Sequence, residues 1–274
     1  MNYYCLIAGF PELQMDSTRN VPTMEALLEE LYGALTAKDA LQLDLLRMQY
    51  DNRNLLAYLA DKEAPLDPLG ILSRNDWEEL ITLMDEVDMP KDKRLQPYIL
   101  NYYRTITDEK LAAEISSKED FLATLYYEFG TQSSNEFVAN WFEFNLNINN
   151  LLTAISSRKH GFDIKQAIVG NNEIAQTIRR SNTHDFNLSG LFEHVEAIMT
   201  IAENKNLLER EKAIDSLKWE WLEEHTFFNY FTIERVLAFY LRCELLHRWD
   251  DLTLENGQEI FRQLLEDLKK GVKL

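Results

Sequence analysis

The sequence is short of the residues that staple, bend or metallate a chain. It has only two cysteines, Cys5 and Cys243, far apart and without CxxC spacing, which points to a reducing compartment and excludes a thiolate-based structural metal. Nine glycines and six prolines in 274 residues argue for a folded, mainly helical chain. No uninterrupted apolar run reaches the ~18 residues a membrane span needs. The run from Tyr3 to Phe10 is too short, and no basic region precedes it, so a soluble, cytoplasmic protein is expected. Basic residues are outnumbered, 28 Lys and Arg against 46 Asp and Glu, for a net charge of −18. That balance opposes general electrostatic binding to nucleic acid or to an anionic bilayer and fits a solvated acidic surface. Also missing are GxxxxGK[ST], GxGxxG after a strand, GxSxG and HExxH, so no phosphate cradle, nucleophile elbow or zincin helix is present.

What is present is helical. Apolar residues make up 46% of the chain and aromatics 11%, with few alternating β-branched runs, and the fold class expected is all-α. Met24, Leu27, Leu28, Leu31 and Leu35 form one stripe at helical spacing. A longer helix is expected over 39–60, apolar on nearly every side, and Tyr3–Pro11 reads as an extended or irregular lead-in. Pro65, Pro68 and Gly70 mark a break. Asn75 is the expected N-cap of the next helix, which stops before Pro90. Ser116 with Glu119 and Ser133 with Glu136 have capping-box spacing, starting helices near 118 and 135, the second running to 156 and ending before Gly161. A charge-laced segment spans 204–225, an apolar helix 232–249 and an amphipathic helix 254–270.

A polar-then-aliphatic signature recurs at about 96 residues, the length of a multi-helix module. Asp51-Asn52-Arg53-Asn54-Leu55-Leu56 is echoed by Asn147-Ile148-Asn149-Asn150-Leu151-Leu152, and more weakly by Glu244-Leu245-Leu246-His247-Arg248-Trp249. The apolar frame agrees, with Met48, Phe144 and Leu241 before the copies and Leu59, Ile155 and Leu252 after them. Three modules are expected, over 1–90, 91–180 and 181–274. The signature residues Asp51, Asn54, Asn147, Asn150, Glu244 and His247 stand one turn apart on mostly apolar helices, so their polar groups need hydrogen-bond partners. Ties to a loop or helix end inside the module are the expected use, and contact to a partner chain is the alternative.

Glu244-x-x-His247 has the spacing of a di-iron half-site, but His184, His194 and His225 lack a Glu three residues before them, so no second half-site exists. His194 and His225 beside Glu193, Glu196 and Glu224 suggest surface pairing. Arg179-Arg180 and Lys269-Lys270 read as helix-end charges. The aromatic cluster Phe227, Phe228, Tyr230 and Phe231 is expected as a core satellite, with a partner surface as the alternative. No residue stands out as catalytic, cofactor-binding or metal-binding.

The signature helices resemble those of the C subunit of bacterial and archaeal V-type (A-type) ATPases, counterpart of the eukaryotic d subunit. The resemblance lies in acid-x-x-Asn-Leu followed by a basic residue, carried by Asp51, Asn54, Leu55 and Lys62, then, with Asn147 standing where an acid is usual, by Asn147, Asn150, Leu151 and Arg158. The segment Val236–Glu244 resembles that family's late helix. The opening Tyr3–Leu13 resembles a poorly characterised bacterial group encoded among V-type ATPase genes in Bacteroidetes. The resemblance implies three pseudo-threefold-related helical modules, with a funnel left incomplete by the short first module. It implies a non-catalytic adaptor between the central-stalk subunits and the membrane rotor ring, peripheral to the inner face of the cell membrane, without cofactor, nucleic acid or direct membrane insertion. A free-standing helical interaction scaffold and an enzyme with a scattered Glu and His site are the competing expectations.

Overall fold

The computed structural model describes residues 3–251 apart from 16 and 18. The amphipathic helix expected over 254–270, and with it Leu252, Lys269 and Lys270, lies outside the described residues. Among the described residues there are thirteen helices and no strand: α1 (Tyr4–Gly9), α2 (Met24–Ala34), α3 (Ala37–Ala60), α4 (Arg74–Glu86), α5 (Pro97–Thr107), α6 (Glu109–Ala112), α7 (Lys118–Gly130), α8 (Glu136–His160), α9 (Ile164–Ala167), α10 (Glu173–Arg180), α11 (Val195–Glu203), α12 (Leu207–His225) and α13 (Ile233–Asp251). The fold is all-α. The described residues divide into two compact units, one formed by 36–214 and the other by those of 3–35 with 215–251, the cut falling inside α12. Three consecutive modules with limits at 90 and 180 are a different partition; those two positions fall between α4 and α5 and at the end of α10.

Local chemistry sets the helix starts. Thr23 and Thr36 accept the backbone N–H groups of Ala26 and Asp39 and so begin α2 and α3. The cap of α4 is Ser73 rather than Asn75, because Ser73 and Asp76 satisfy each other's backbone N–H in a capping box, leaving Asn75 inside the first turn. Similarly Ser117, not Ser116, caps α7, and Asn135 caps α8. The Ser133 hydroxyl is used elsewhere, accepting from the Asn135 N–H and donating to Gln42. Gly161, at φ +74°, closes α8 in the left-handed conformation that costs glycine least. Helix α8 therefore runs one turn beyond the expected end at 156.

In the 36–214 unit, α8 packs on α7, α9, α10 and α11, α7 also meets α3 and α5, and α4 meets α5. Its core includes Leu43, Leu55, Trp77, Leu80, Ile99, Tyr102, Leu122, Ile148 and Leu151. The Tyr126 hydroxyl, buried, donates to the Leu45 carbonyl of α3 at 2.8 Å. Helix α3 is less enclosed than its composition suggests, since Leu41 and Leu59 face solvent. Met48 and Phe144, the residues preceding the first two signatures, are buried.

In the other unit, α2 lies against α13. Leu27, Leu28 and Leu31 are buried from α2, and Val236, Leu237, Tyr240 and Leu241 from α13. The lead-in expected to be extended forms the short α1. The Tyr3 N–H donates to the Phe231 carbonyl at 2.7 Å, and Phe10 stacks on Phe239 at 3.9 Å between centroids. Asp215, fully buried, accepts twice from one Arg248 nitrogen at 3.0 and 3.1 Å. Among the described residues no helix is long and apolar enough to cross a membrane.

Candidate functional site

The signature residues on α3 and α8 are buried and face the connections that follow those helices. On α3, Asn54 grips the backbone of Asp67 from both sides: its Nδ2 donates to the Asp67 carbonyl at 3.0 Å, and its Oδ1 accepts the Asp67 N–H at 2.7 Å. One turn earlier, Asp51 accepts the N–H groups of Ile71 and Leu72 at 2.9 and 3.0 Å. Arg47, one turn before that, donates from Nη2 to the carbonyls of Leu69 and Gly70 at 2.8 and 3.2 Å. The loop approaches α3 so closely that a Cβ on Gly70 would stand 2.4 Å from Asn54 Nδ2. Three successive turns of one helix therefore hold both the N–H and the C=O groups of a proline-broken loop that offers them no secondary structure. Burial pushes the Asp51 carboxyl up to about 6, against the pull of its two backbone N–H partners and of Arg47.

Helix α8 repeats the grip. Asn150 Nδ2 donates to the Val169 carbonyl at 2.8 Å, and Asn150 Oδ1 accepts the Val169 N–H at 2.9 Å. Asn54 and Asn150 are thus alike in which atoms bond to what, although their targets lie 13 and 19 residues downstream. The position one turn earlier has diverged. Asn147 Oδ1 accepts from the side-chain amide of Asn172 at 2.8 Å, and Asn172 in turn caps α10. A guanidinium again takes the loop carbonyls, but it comes from the following helix: Arg179 Nη2 donates to Ile168 and Gly170 at 2.8 and 2.7 Å. Burial lowers the Arg179 pKa. Gly170, at φ +72°, lies against Leu146, where a Cβ would meet a methyl group at 3.1 Å. The basic residues after the two signatures differ, Lys62 being exposed while Arg158 covers the Phe186 ring at 3.7 Å.

Glu244 and His247 on α13 serve another purpose. Glu244 Oε1 accepts the Tyr240 hydroxyl at 3.1 Å, and His247 Nε2 meets the Pro22 carbonyl at 2.8 Å. A carbonyl only accepts, so His247 carries its proton on Nε2 and ties α13 to the start of α2. The chain after this third signature, where a corresponding loop would begin, lies outside the described residues. No group of three or more metal-ligating side chains occurs among the described residues. His194 pairs with Glu193 at 3.2 Å, while His225 stacks on Trp221 at 3.8 Å with Nδ1 against that residue's carbonyl.

The six signature residues do not converge on one site. Of the other residues in the two grips, Arg47 and Asn172 carry no sequence signal, Gly70 reads only as a break, and Arg179, expected as a helix-end charge, instead holds the Ile168 and Gly170 carbonyls. The aromatic cluster expected in the core lies at the surface: Phe227 and Tyr230 are each 64% exposed, Phe228 80% and Phe231 38%. These aromatics stand on the connection between α12 and α13 itself, whose polar residues bond among themselves, Asn229 to Thr226 and Thr232.

No curated protein and no solved structure matches the chain. A family model described as "Protein of unknown function (DUF2764)" matches residues 1–272, nearly the whole length. The chain belongs to the DUF2764 family.

Proposed function

We propose that the chain is a non-catalytic adaptor of a V-type ATPase, similar to the C subunit, coupling the central stalk to the membrane rotor ring. The observation that carries this reading is the repeated asparagine grip. The two signature helices on which the resemblance rests use Asn54 and Asn150 for the same backbone bonds, so at that position the likeness between the two copies extends from letters to hydrogen-bonded atoms. A torque-bearing adaptor needs stiffness between its contact surfaces. Loops bonded to long helices through both backbone N–H and C=O supply it, because opening them strands buried polar groups. Its place would be the inner face of the membrane, held there by protein contacts.

Ion pumping measured on membranes with and without this chain tests the reading, alongside elemental analysis of the purified protein. Removal should uncouple ATP turnover from pumping, and the protein should carry no stoichiometric iron or zinc. Unchanged pumping, with metal that disappears in Glu244→Ala or His247→Ala, would favour an enzyme. Unchanged pumping without metal would favour a free-standing scaffold.

A further inference from the structure

The surface around the α12–α13 connection has the composition of a buried interface. Phe227, Phe228, Tyr230 and Phe231 are joined there by Tyr4, itself 53% exposed and in ring contact with Phe231 at 4.4 Å. Phe227 meets Phe228 edge-on at 4.9 Å. At ~150–250 Å² per aromatic side chain, the exposed fractions amount to about 450–750 Å². That matches or exceeds the largest apolar patch of a typical monomer and is most of the ~800 Å² one partner contributes to a standard interface.

The patch is held in place. The Asn229 N–H donates to the Thr226 carbonyl at 3.0 Å, the Thr226 hydroxyl to the Leu222 carbonyl at 2.6 Å, and Thr232 bonds Glu234. Ordered aromatics that need little further immobilisation make good anchors.

Charge selects the partner. Glu223 and Glu224 are exposed at the edge of the patch, and no basic residue occurs from Thr226 to Ile233. The next cation along the chain, Arg235, is half-buried and reaches the Thr226 hydroxyl, and the buried Arg242 stands 3.7 Å from Glu223, so Glu224 carries the acidic edge. A second copy would bring another −18 charge and the same acidic edge. An anionic bilayer would be repelled as well. We infer that Tyr4 and the 227–231 aromatics form a docking surface for a different protein, one that presents an apolar groove or helix face bordered by Lys and Arg. The adaptor reading, on which this part rests, makes that protein a component of the rotary ATPase.

The test co-expresses the tagged full-length chain with the central-stalk and rotor-ring components of the V-type ATPase and quantifies what co-purifies. The doubly substituted Phe228→Ser, Tyr230→Ser chain should retain about a tenth or less of the wild-type yield of partner, the loss typical of removed interface anchors. Its thermal unfolding should match wild type, because both side chains are exposed. Glu224→Lys should weaken recovery at low salt and approach wild type at about 0.5 M salt, where exposed charges are screened. Equal recovery by wild type and the double variant would overturn the docking surface and leave the adaptor reading standing. If folded wild-type chain recovers no ATPase component, the adaptor reading fails and the assigned partner with it. A wild-type homodimer in light scattering that the double variant dissolves would reassign the patch to self-association.

Discussion

Replacing Asn150 with alanine is the sharpest perturbation of the fold. The side chain is 2% exposed and makes two bonds of 2.8 and 2.9 Å to one residue, Val169. Alanine removes both and leaves the Val169 N–H and C=O without partners. Each stranded buried group costs ~1–3 kcal/mol, and Val169 is only half-buried, so the lower part of that range applies and the total should be about 2–4 kcal/mol. The same value should follow from Asn54→Ala, because its bonds to Asp67 are the same in kind. Urea unfolding with a common slope measures both. Asn150→Asp is a useful control. The carboxylate still accepts the Val169 N–H but faces the Val169 carbonyl, so it should be at least as damaging at neutral pH and milder in acid, where the protonated group can donate. Losses below about 0.5 kcal/mol for both alanine variants would refute the claim that these amides hold the loops.

Further perturbations probe the same frame. Leu55→Ala and Leu151→Ala, each at a fully buried position, should cost ~2–5 kcal/mol in thermal or urea unfolding, and a loss well under 1 kcal/mol would mean the helix faces are misassigned. Gly70→Ala would place a Cβ 2.4 Å from Asn54 Nδ2, so it should destabilise by ~1–3 kcal/mol and combine non-additively with Asn54→Ala in a double-mutant cycle; strict additivity would show that the two do not meet. Asp51 gives a pH signature. Its folded pKa of about 6 stands above the ordinary 3.8, so the native state holds the proton more tightly than the unfolded chain. The resulting stability is full below pH 3.8 and lost as pH rises to about 6. Wild type should therefore gain on Asp51→Asn as pH falls from about 7 to about 4, by at most ~1.4 kcal/mol per pH unit, and a pH-independent difference would refute the shift.

Features set by periodicity were legible in the sequence. The stripe from Met24 to Leu31 gives α2 with those residues buried, and the long apolar segments give α3, α8 and α13. Caps were legible only to within one or two residues, because serine and asparagine crowd the starts of α4, α7 and α8 and only the geometry decides which oxygen reaches the right N–H. The polar residues of α3 and α8 announced a need for partners. The partners themselves were hidden, since Asp67 and Val169 contribute backbone atoms, which any residue type could supply, at unequal spacings. Phe227 to Phe231 misled for a different reason: composition favours burial of aromatics, but a short loop whose Thr and Asn side chains bond one another turns them outward. Cys5 and Tyr4 belong to a short helix whose place depends on Phe231 and Phe239, more than 200 residues away, which no local pattern reports.

The central claim is that the chain works as a coupling part of a V-type ATPase, and its most direct test is the ratio of ions pumped to ATP hydrolysed in membranes lacking only this chain. The adaptor reading predicts that this ratio collapses, through free hydrolysis or disassembly of the complex, and that adding back the wild-type chain restores it. An unchanged ratio in its absence would contradict the reading.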